Sequence, residues 1–295
     1  MERVAVIFNP TAGRGKLQKQ KVKIEEILHN QFEQVDFYET QKYGDSGDLV
    51  RKVASEVDII IAAGGDGTVN EVVNALCRLD RRPVLGIIPG GTSNDFSRAI
   101  GMYQNPVKAT YQIVDKHQQP VDVGKTDKNY FLNFWGIGLI TQVASNVDSE
   151  VKDRYGRFGY YLRTAQTMGK TEPFHLQLEA DDFNFDDEAV MLVVGNGTFT
   201  AGVEAFFPKG DVQDGLLDVL LIKETSVQVF WSMLQTKMSN QPTKEEGYIY
   251  FQTKKLKVTA TPEQTVDCDG ERRCSTPSEI EVLPDYLTML VGEMK

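Results

Sequence analysis

The sequence predicts two folded parts. The first is an α/β domain on a parallel sheet, spanning residues 1–123 with the tail 284–295 returning to it. The second is a β-rich sandwich domain over residues 124–283. Three observations carry this expectation. Up to residue 115 or so, β-branched runs alternate with amphipathic stretches, the order that yields a parallel sheet covered by helices. Beyond residue 120, strand-like runs succeed one another with turn residues between them, as in an antiparallel sandwich or barrel. Three strands of the first part end in loops of similar composition, 9–16, 64–68 and 89–95, and open α/β sheets bind ligands beyond the carboxyl ends of their strands.

The elements follow in order. Residues 4–8 read as a strand, and 16–30 as an amphipathic helix with Val22, Ile24, Ile27 and Leu28 inward. A second strand at 35–39 precedes a short helix at 48–57. A third strand at 57–63 precedes a helix from Val69, and a fourth at 84–88 precedes a helix from Asp95. In the second part, strands are expected at 121–125, 130–135, 174–179, 189–194, 216–222, 248–252, 256–260, 265–268 and 279–283, with a further one in the tail at 286–291. Only 154–168 and 226–238 read as helices there.

Bulk properties narrow the function. The chain has 295 residues, 41% apolar and 25% charged, which suits a packed core. A net charge of −10 argues against nucleic acid as the main partner and against broad attraction to an anionic membrane. The lysines at 16, 19, 21 and 23 read first as a solvated helix face, second as a basic rim beside a phosphate site. Cys77, Cys268 and Cys274 give neither a disulfide framework nor a zinc pattern. The opening Met1-Glu2-Arg3 has no leader character, and no apolar run approaches the ~20 residues of a spanning helix, so a cytoplasmic location is expected.

The most informative motif is Gly64-Gly65-Asp66-Gly67-Thr68. It sits between a β-branched strand and a helix. Its glycines permit a sharp turn and close approach of bare backbone, and the helix N–H groups point back into that turn. A carboxylate inside a phosphate cradle implies a divalent cation between the like charges. The expectation is a nucleotide-phosphate site with magnesium. Familiar alternatives fail: a Walker A loop ending at Lys16 would need Gly at 10 and Ser or Thr at 17, where Pro10 and Leu17 stand. A dinucleotide fingerprint from Gly13 would need glycine at 18, which is Gln18, and no Gly-x-Ser-x-Gly elbow occurs. His29, His117 and His175 lie outside every glycine loop, leaving carboxylates as the acid–base candidates. Asn9-Pro10-Thr11-Ala12-Gly13 alone would be a turn. Beside the other two loops it becomes a wall of the pocket, with Arg14 and Lys16 adding charge. The segment 89–95 could be no more than a helix cap by Ser93 or Asn94. With three such loops on one edge, a second phosphate wall is the preferred reading.

These motifs together resemble the diacylglycerol kinase catalytic-domain family, and soluble bacterial lipid kinases in particular. The resemblance rests on Asn9-Pro10-x-x-Gly13, on Gly64 to Thr68 followed by Asn70-Glu71, and on Pro89-x-Gly91-Thr92-x-Asn94-Asp95. It extends through Asp211-x-x-Asp214-Gly215-x-x-Asp218 to Asp269-Gly270-Glu271. It implies an NAD kinase/diacylglycerol kinase-like α/β domain, a β-rich domain, and an active site in the cleft between. It also implies ATP as co-substrate, magnesium, and a lipid hydroxyl as acceptor. By position, Asn9, Pro10, Thr11, Gly13, Lys16, Gly64, Gly65, Gly67, Thr68, Glu71, Gly91, Thr92, Asn94 and Asp95 would bind the nucleotide. Asp66 would lie beside its phosphates and magnesium, and Asp95 and Asp122 would join an acidic network. That network would reach a structural magnesium held by the Asp214 carboxylate and the backbone carbonyls of Asp211 and Leu216. Asp269 and Glu271 would face the γ-phosphate and the acceptor hydroxyl, with Asp269 as base. The bland reading of Asp269-Gly270 is a hairpin turn.

The pattern departs from the family at Thr200-Ala201-Gly202 and at Pro208-Lys209-Gly210, where the relatives carry a glycine run and an alanine, so the acceptor could differ from diacylglycerol. Tyr155, Phe158, Leu162 and Ala165 at helical spacing read as core. The minority reading is a lipid-contacting face aided by Lys152, Arg154 and Arg157. The leading expectation is an ATP- and magnesium-dependent lipid kinase touching the inner face of the cell membrane. The alternatives are a soluble-substrate kinase of the NAD kinase type and a silent nucleotide-binding regulator. A homodimer is an expectation taken from the relatives alone.

Overall fold

The computed structural model describes residues 2–141, 172–198, 207, 209–223 and 247–293. The expected helices at 154–168 and 226–238 lie outside these residues. So do the proposed lipid-contacting face and the departures at 200–202 and 208. The chain divides into two compact units: Met1–Val123 with Asn129–Leu132 and Leu283–Lys295, and Gly124–Lys128 with Asn133–Val282.

The first unit alternates strand and helix. Its elements are β1 (Arg3–Phe8), α1 (Ala12–Gly15), α2 (Lys21–Gln31), β2 (Gln34–Glu39), α3 (Asp45–Val53), β3 (Ile59–Gly64), α4 (Asp66–Leu76), β4 (Val84–Pro89), α5 (Asp95–Ala99), α6 (Pro106–Val114), the start of β5 (Gln118–Thr126) and β6 (Tyr130–Phe131). Strands β2, β1, β3 and β4 lie side by side and parallel, in register from Val4 opposite both Val35 and Ile59 to Ile59 opposite Val84. Every residue of β3 is buried, the continuous apolar run that a sheet covered on both faces requires.

The second unit is antiparallel. It contains β7 (Phe134–Gly138), β8 (Phe174–Ala180), β9 (Asn184–Ala189), β10 (Met191–Gly195), β11 (Leu217–Ile222), β12 (Tyr248–Thr253), β13 (Lys255–Thr261), β14 (Thr265–Cys268), β15 (Glu271–Ser275) and the start of β16 (Ser278–Leu290). One sheet runs β12-β11-β10-β7-β14-β15. In the other, β9, β8 and β13 follow one another to the first residues of β16. The later residues of β16 belong to the first unit, where Met289 pairs with Leu85 of β4 in parallel.

Several boundaries differ from the sequence expectation, each for a local reason. The helix expected at 16–30 is shorter: residues 18–20 form a 3-10 turn, and α2 starts at Lys21. Val22, expected inward, is 77% exposed. It lies two residues before the buried Ile24, about 200° around the helix, so Ile24, Ile27 and Leu28 form the inner face without it. The second helix starts at Asp45, directly after the left-handed Gly44, and the Asp45 carboxylate accepts the amides of Gln41 and Lys42 in the turn before it. The segment 130–135 is two strands, β6 and β7, and the two strands expected at 279–283 and 286–291 are the single β16. Helix α6 and strands β9 and β15 have no counterpart in the sequence expectation. Strand β9 is exposed at all but Phe185 and its last residue, Ala189, so it lacks the apolar alternation that marks a strand.

The three cysteines are free thiols, as their spacing suggests. Burial pushes the Cys77 thiol up to about 12 and the Cys268 thiol well above its usual range. Only thiolates alkylate readily. Iodoacetamide on the folded protein is therefore expected to label the partly exposed Cys274 ahead of Cys77 and Cys268. Mass spectrometry of the digest reads the result, and equal labelling of all three would contradict this packing.

Candidate active site

Three loops meet at the carboxyl edge of the parallel sheet. Asn9 follows β1; its Nδ2 donates to Thr68 Oγ1 (3.1 Å), and its Oδ1 accepts from Thr11 N (3.0 Å) and Thr11 Oγ1 (2.9 Å). Gly90 N donates to Gly64 O (2.6 Å), joining the loops after β3 and β4. Their approach excludes side chains. A Cβ on Gly13, which sits at φ +58°, would lie 2.5 Å from Gly90 O, and one on Gly91 would lie 2.7 Å from Gly65 Cα. Only glycine fits where backbone crowds backbone this closely.

Asp66 ties the second loop to the third. Its Oδ2 accepts from Asn94 N (2.9 Å) and its Oδ1 from Asp95 N (2.8 Å), two charge-assisted bonds that orient the 89–95 segment. Asn94 is buried at φ +51°. Its side chain does not cap α5; it brackets Gly91, accepting from Gly91 N (2.8 Å) and donating to Gly91 O (3.0 Å). Gln104, unnoticed in the sequence, accepts from Asn94 Nδ2 (3.2 Å) and donates to Ser97 Oγ (3.0 Å). The helix expected from Val69 starts at Asp66, with Gly65 as an N-cap that offers no side-chain acceptor. Its first N–H groups therefore face the turn as a ready anion site. Gly67, Thr92 and Lys16 are exposed around it, and Thr68 is buried.

Glu71 is turned elsewhere. Its two oxygens accept from Gly44 N (2.8 Å) and Ser46 N (3.1 Å), so it caps the start of α3 and holds the neighbouring turn. Asp122, almost fully buried, accepts from Asp285 N (2.8 Å).

In the second unit, Asp269 and Gly270 form the two-residue turn between β14 and β15, at φ +50° and +89°. Both angles positive is the hairpin geometry that Asp-Gly favours, so the bland reading of this pair also holds. The side chain is engaged as well, with Asp269 Oδ1 accepting from Asn133 N (3.0 Å) and Phe134 N (2.8 Å). The buried Asp267 accepts from Gly270 N (2.8 Å) and fixes the turn; Glu271 opens β15, partly exposed.

Around the proposed structural ion, Asp214 accepts from Leu216 N (2.9 Å) and Gln252 Nε2 (3.2 Å), and Asp211 from Gln213 N (3.0 Å). Burial, with the Asp211 carboxylate nearby, raises the Asp214 pKa above the usual carboxylate range. Asp218 is buried and pushed up to about 7. Tyr250 donates its hydroxyl to Asp218 Oδ1, while Oδ2 is buried with no hydrogen-bond partner among the described residues. Crowded acidic oxygens held above their normal proton affinity suit a hard cation. Among the described residues no three His, Cys, Asp or Glu side chains group as metal ligands, so an ion here would draw on backbone carbonyls, as the expected set of Asp211, Asp214 and Leu216 would.

Known proteins share this architecture. The diacylglycerol kinase catalytic domain family matches residues 3–126, and the YegS C-terminal NAD kinase beta sandwich-like domain matches residues 136–291. The chain is 31% identical over 297 residues to a diacylglycerol kinase of Bacillus subtilis (strain 168), covering 100% of this chain and 98% of the relative. It is 30% identical to a diacylglycerol kinase of Staphylococcus epidermidis (strain ATCC 12228), covering 97% and 91%. A solved diacylglycerol kinase structure from Bacillus anthracis strain Sterne superposes with a TM-score of 0.83 at 35% identity, covering 99% of this chain and 97% of that one. A second solved chain from the same strain gives 0.88 at 40% identity, covering 99% and 95%. The chain thus belongs to the diacylglycerol kinase family and is a phosphotransferase with an alcohol acceptor.

Proposed function

We propose that the protein transfers the γ-phosphoryl group of ATP to the hydroxyl of diacylglycerol or a closely related lipid, with magnesium required. The observation that carries this is the Asp66 clamp: one carboxylate holds two glycine turns together beside an uncapped helix N-terminus. Phosphoryl transfer to an alcohol needs a cradle for the phosphates, neutralisation of their charge, and an acceptor for the hydroxyl proton. In this assignment the amides of Gly64 to Thr68 and of Thr92 cradle the phosphates, and Gly91, whose amide is held by Asn94, lets the third turn approach them. Asn9, Thr11, Pro10 and Gly13 form the facing wall, with Lys16 at its rim. Asn94 and Asp95 shape the third turn, and Glu71 acts through the turn it caps.

Asp66 would hold the nucleotide magnesium, and Asp214 with the carbonyls of Asp211 and Leu216 would hold the structural one. Bound there, magnesium supplies charge neutralisation to the phosphates and to the crowded carboxylates. Asp269 takes the acceptor hydroxyl proton, and Glu271 orients the acceptor. Since the acceptor is a lipid, the protein works in peripheral contact with a membrane from the cytoplasmic side. No described helix is long and apolar enough to cross one.

Incubation of the protein with γ-labelled ATP, a total lipid extract and, separately, NAD, with and without magnesium, tests this reading. Label is expected in a lipid phosphate and only with magnesium. Label in NADP would assign a soluble acceptor, and ATP binding without transfer would assign a regulator. For the structural ion, chelation with EDTA is expected to lower the melting temperature of the wild type and leave that of Asp214→Ala unchanged, since a ligand bound only to the folded state stabilises it. Asp214→Ala should lose stability more than nucleotide affinity. Unchanged melting in both comparisons would remove the ion.

A further inference from the structure

The turn after β4 is closed by a circuit of side chains that lies wholly within the first unit. Asn94 is buried and left-handed, at φ +51°. Its Nδ2 donates to Gly91 O (3.0 Å) and to Gln104 Oε1 (3.2 Å). Its Oδ1 takes the Gly91 amide (2.8 Å), which fixes the end of the side chain that faces the turn. Gln104 Nε2 donates to Ser97 Oγ (3.0 Å) and to Met102 O (3.0 Å), and the Ser97 hydroxyl donates to Asn94 O (2.8 Å). Asn94 is therefore held twice by Gln104: directly at its side chain, and through Ser97 at its backbone carbonyl.

Gln104 is itself anchored. It stands between Tyr103, whose N–H donates to Gln112 Oε1 (2.7 Å), and Asn105, which caps α6 by accepting from Lys108 N (3.1 Å). Gln112 of α6 also donates through Nε2 to Gly101 O (3.1 Å), and Met102 N donates to Ser97 O (2.8 Å). Helix α6 and its cap thus fix the stretch that delivers the Gln104 side chain to Asn94.

We infer that Gln104 is a positioning residue for the nucleotide: it locks Asn94 in its left-handed conformation against Gly91, and so holds the third turn in the shape that receives phosphates before ATP arrives. The inference rests on the proposal that the three turns hold the ATP phosphates. Gln104 touches no phosphate in this scheme. Asn94 is kept in a backbone region that side chains rarely adopt, and a buried polar circuit with one member missing leaves its neighbours unsatisfied. Without Gln104 the turn samples other shapes, and ATP must order it on binding. That cost appears in affinity, not in turnover at saturating ATP.

The test compares Gln104→Leu and Gln104→Glu with wild type, and uses Asn105→Ala as a control that loosens the same stretch by removing the α6 cap. Affinity is read by calorimetry with magnesium and a non-hydrolysable ATP analogue, turnover with γ-labelled ATP and dioleoylglycerol in mixed micelles, and stability by thermal melting. Expected for Gln104→Leu is a loss of analogue affinity of about tenfold, a matching rise in KM for ATP, and a kcat within about twofold of wild type. Gln104→Glu keeps the acceptor for Asn94 Nδ2 and loses both donors, so it should fall between wild type and leucine. Asn105→Ala should melt about 2–4 °C lower and bind the analogue as wild type does. Asn94→Gly removes the side chain without straining a left-handed position, and Gln104→Leu should add less than about twofold to its loss. Amide resonances without nucleotide give a readout independent of activity: Gly91 and Thr92 should move in Gln104→Leu, while Gly44 and Ser46, held by Glu71, stay in place. Wild-type affinity in Gln104→Leu, an equal loss in Asn105→Ala, a fall in kcat in place of the rise in KM, unmoved Gly91 and Thr92 amides, or losses that multiply with Asn94→Gly would each overturn the inference. If Gln104→Leu does not fold, the same readouts on Gln104→Glu decide it. An analogue that binds wild type without moving any amide from Gly64 to Thr68 or from Gly90 to Asp95 would instead overturn the phosphate assignment.

Discussion

Asp269→Asn is expected to lower phosphoryl transfer by about 10²–10⁴-fold, the usual contribution of a general base, with ATP affinity and melting temperature unchanged. The structure explains why asparagine is the informative replacement. Asp269 sits at φ +50°, a left-handed conformation that asparagine tolerates better than other side chains. Its Oδ1 accepts the amides of Asn133 and Phe134, and an asparagine carbonyl can accept both in the same place. What asparagine cannot do is take a proton from a lipid hydroxyl. Alanine would confound the two roles by stranding two backbone donors. Wild-type turnover in Asp269→Asn, measured with saturating ATP and lipid, would remove Asp269 as base and leave the cradle assignment standing.

Asp66→Ala should act on a different step. The Asp66 carboxylate makes two charge-assisted bonds, to Asn94 N and Asp95 N, each typically worth about 1.5–3 kcal/mol. The side chain is only partly buried, so a net loss of about 2–4 kcal/mol is expected for the pair. Without it the 89–95 segment loses its anchor to the phosphate turn, and Asn94 loses one of the contacts that keep it bracketing Gly91. Nucleotide affinity should fall by about 10²-fold or more, since each 1.4 kcal/mol is a factor of ten. Asp66→Asn should fall by less on stability, because one oxygen remains, but its NH₂ would face an amide donor. Calorimetry with a non-hydrolysable analogue and a thermal melt measure both effects. Full affinity in Asp66→Ala would show that the phosphates bind elsewhere.

The α/β part of the fold was legible because its strands carry strong local signals. The residues of β1 and β3 are buried without exception after Arg3, and their β-branched runs stand out from the glycine turns that follow. The antiparallel texture of the second unit was legible for the same reason. What failed was local or borderline. Val22 is apolar yet lies about 200° around α2 from Ile24, and the 3-10 turn at residues 18–20 stands where the helix was expected to begin. Strand β9, Asn-Phe-Asp-Asp-Glu-Ala, is held by its ladder with β8, and no hydrophobic pattern announces a ladder.

In the candidate site, loop composition placed the three turns together, since glycine repetition after parallel strands is a local signal with a topological consequence. The partners that hold the site were not legible. Asn133, Phe134 and Tyr250 act through contacts between residues far apart in sequence, while Gln104 and Asp267 act within their own turns, and several of these contacts run through backbone amides that any residue supplies. Glu71 shows the converse. Its place beside the glycine turn in sequence suggested the nucleotide, while its carboxylate caps a helix 25 residues upstream.

The central claim is that ATP phosphates sit on the three glycine turns of the parallel sheet. Amide chemical shifts of the isotope-labelled protein, titrated with magnesium and a non-hydrolysable ATP analogue, test it most directly. The account predicts saturable shifts concentrated in Gly64 to Thr68 and in Gly90 to Asp95, with smaller ones from Asn9 to Gly13. Saturable binding that leaves those amides unmoved and shifts another surface would contradict it.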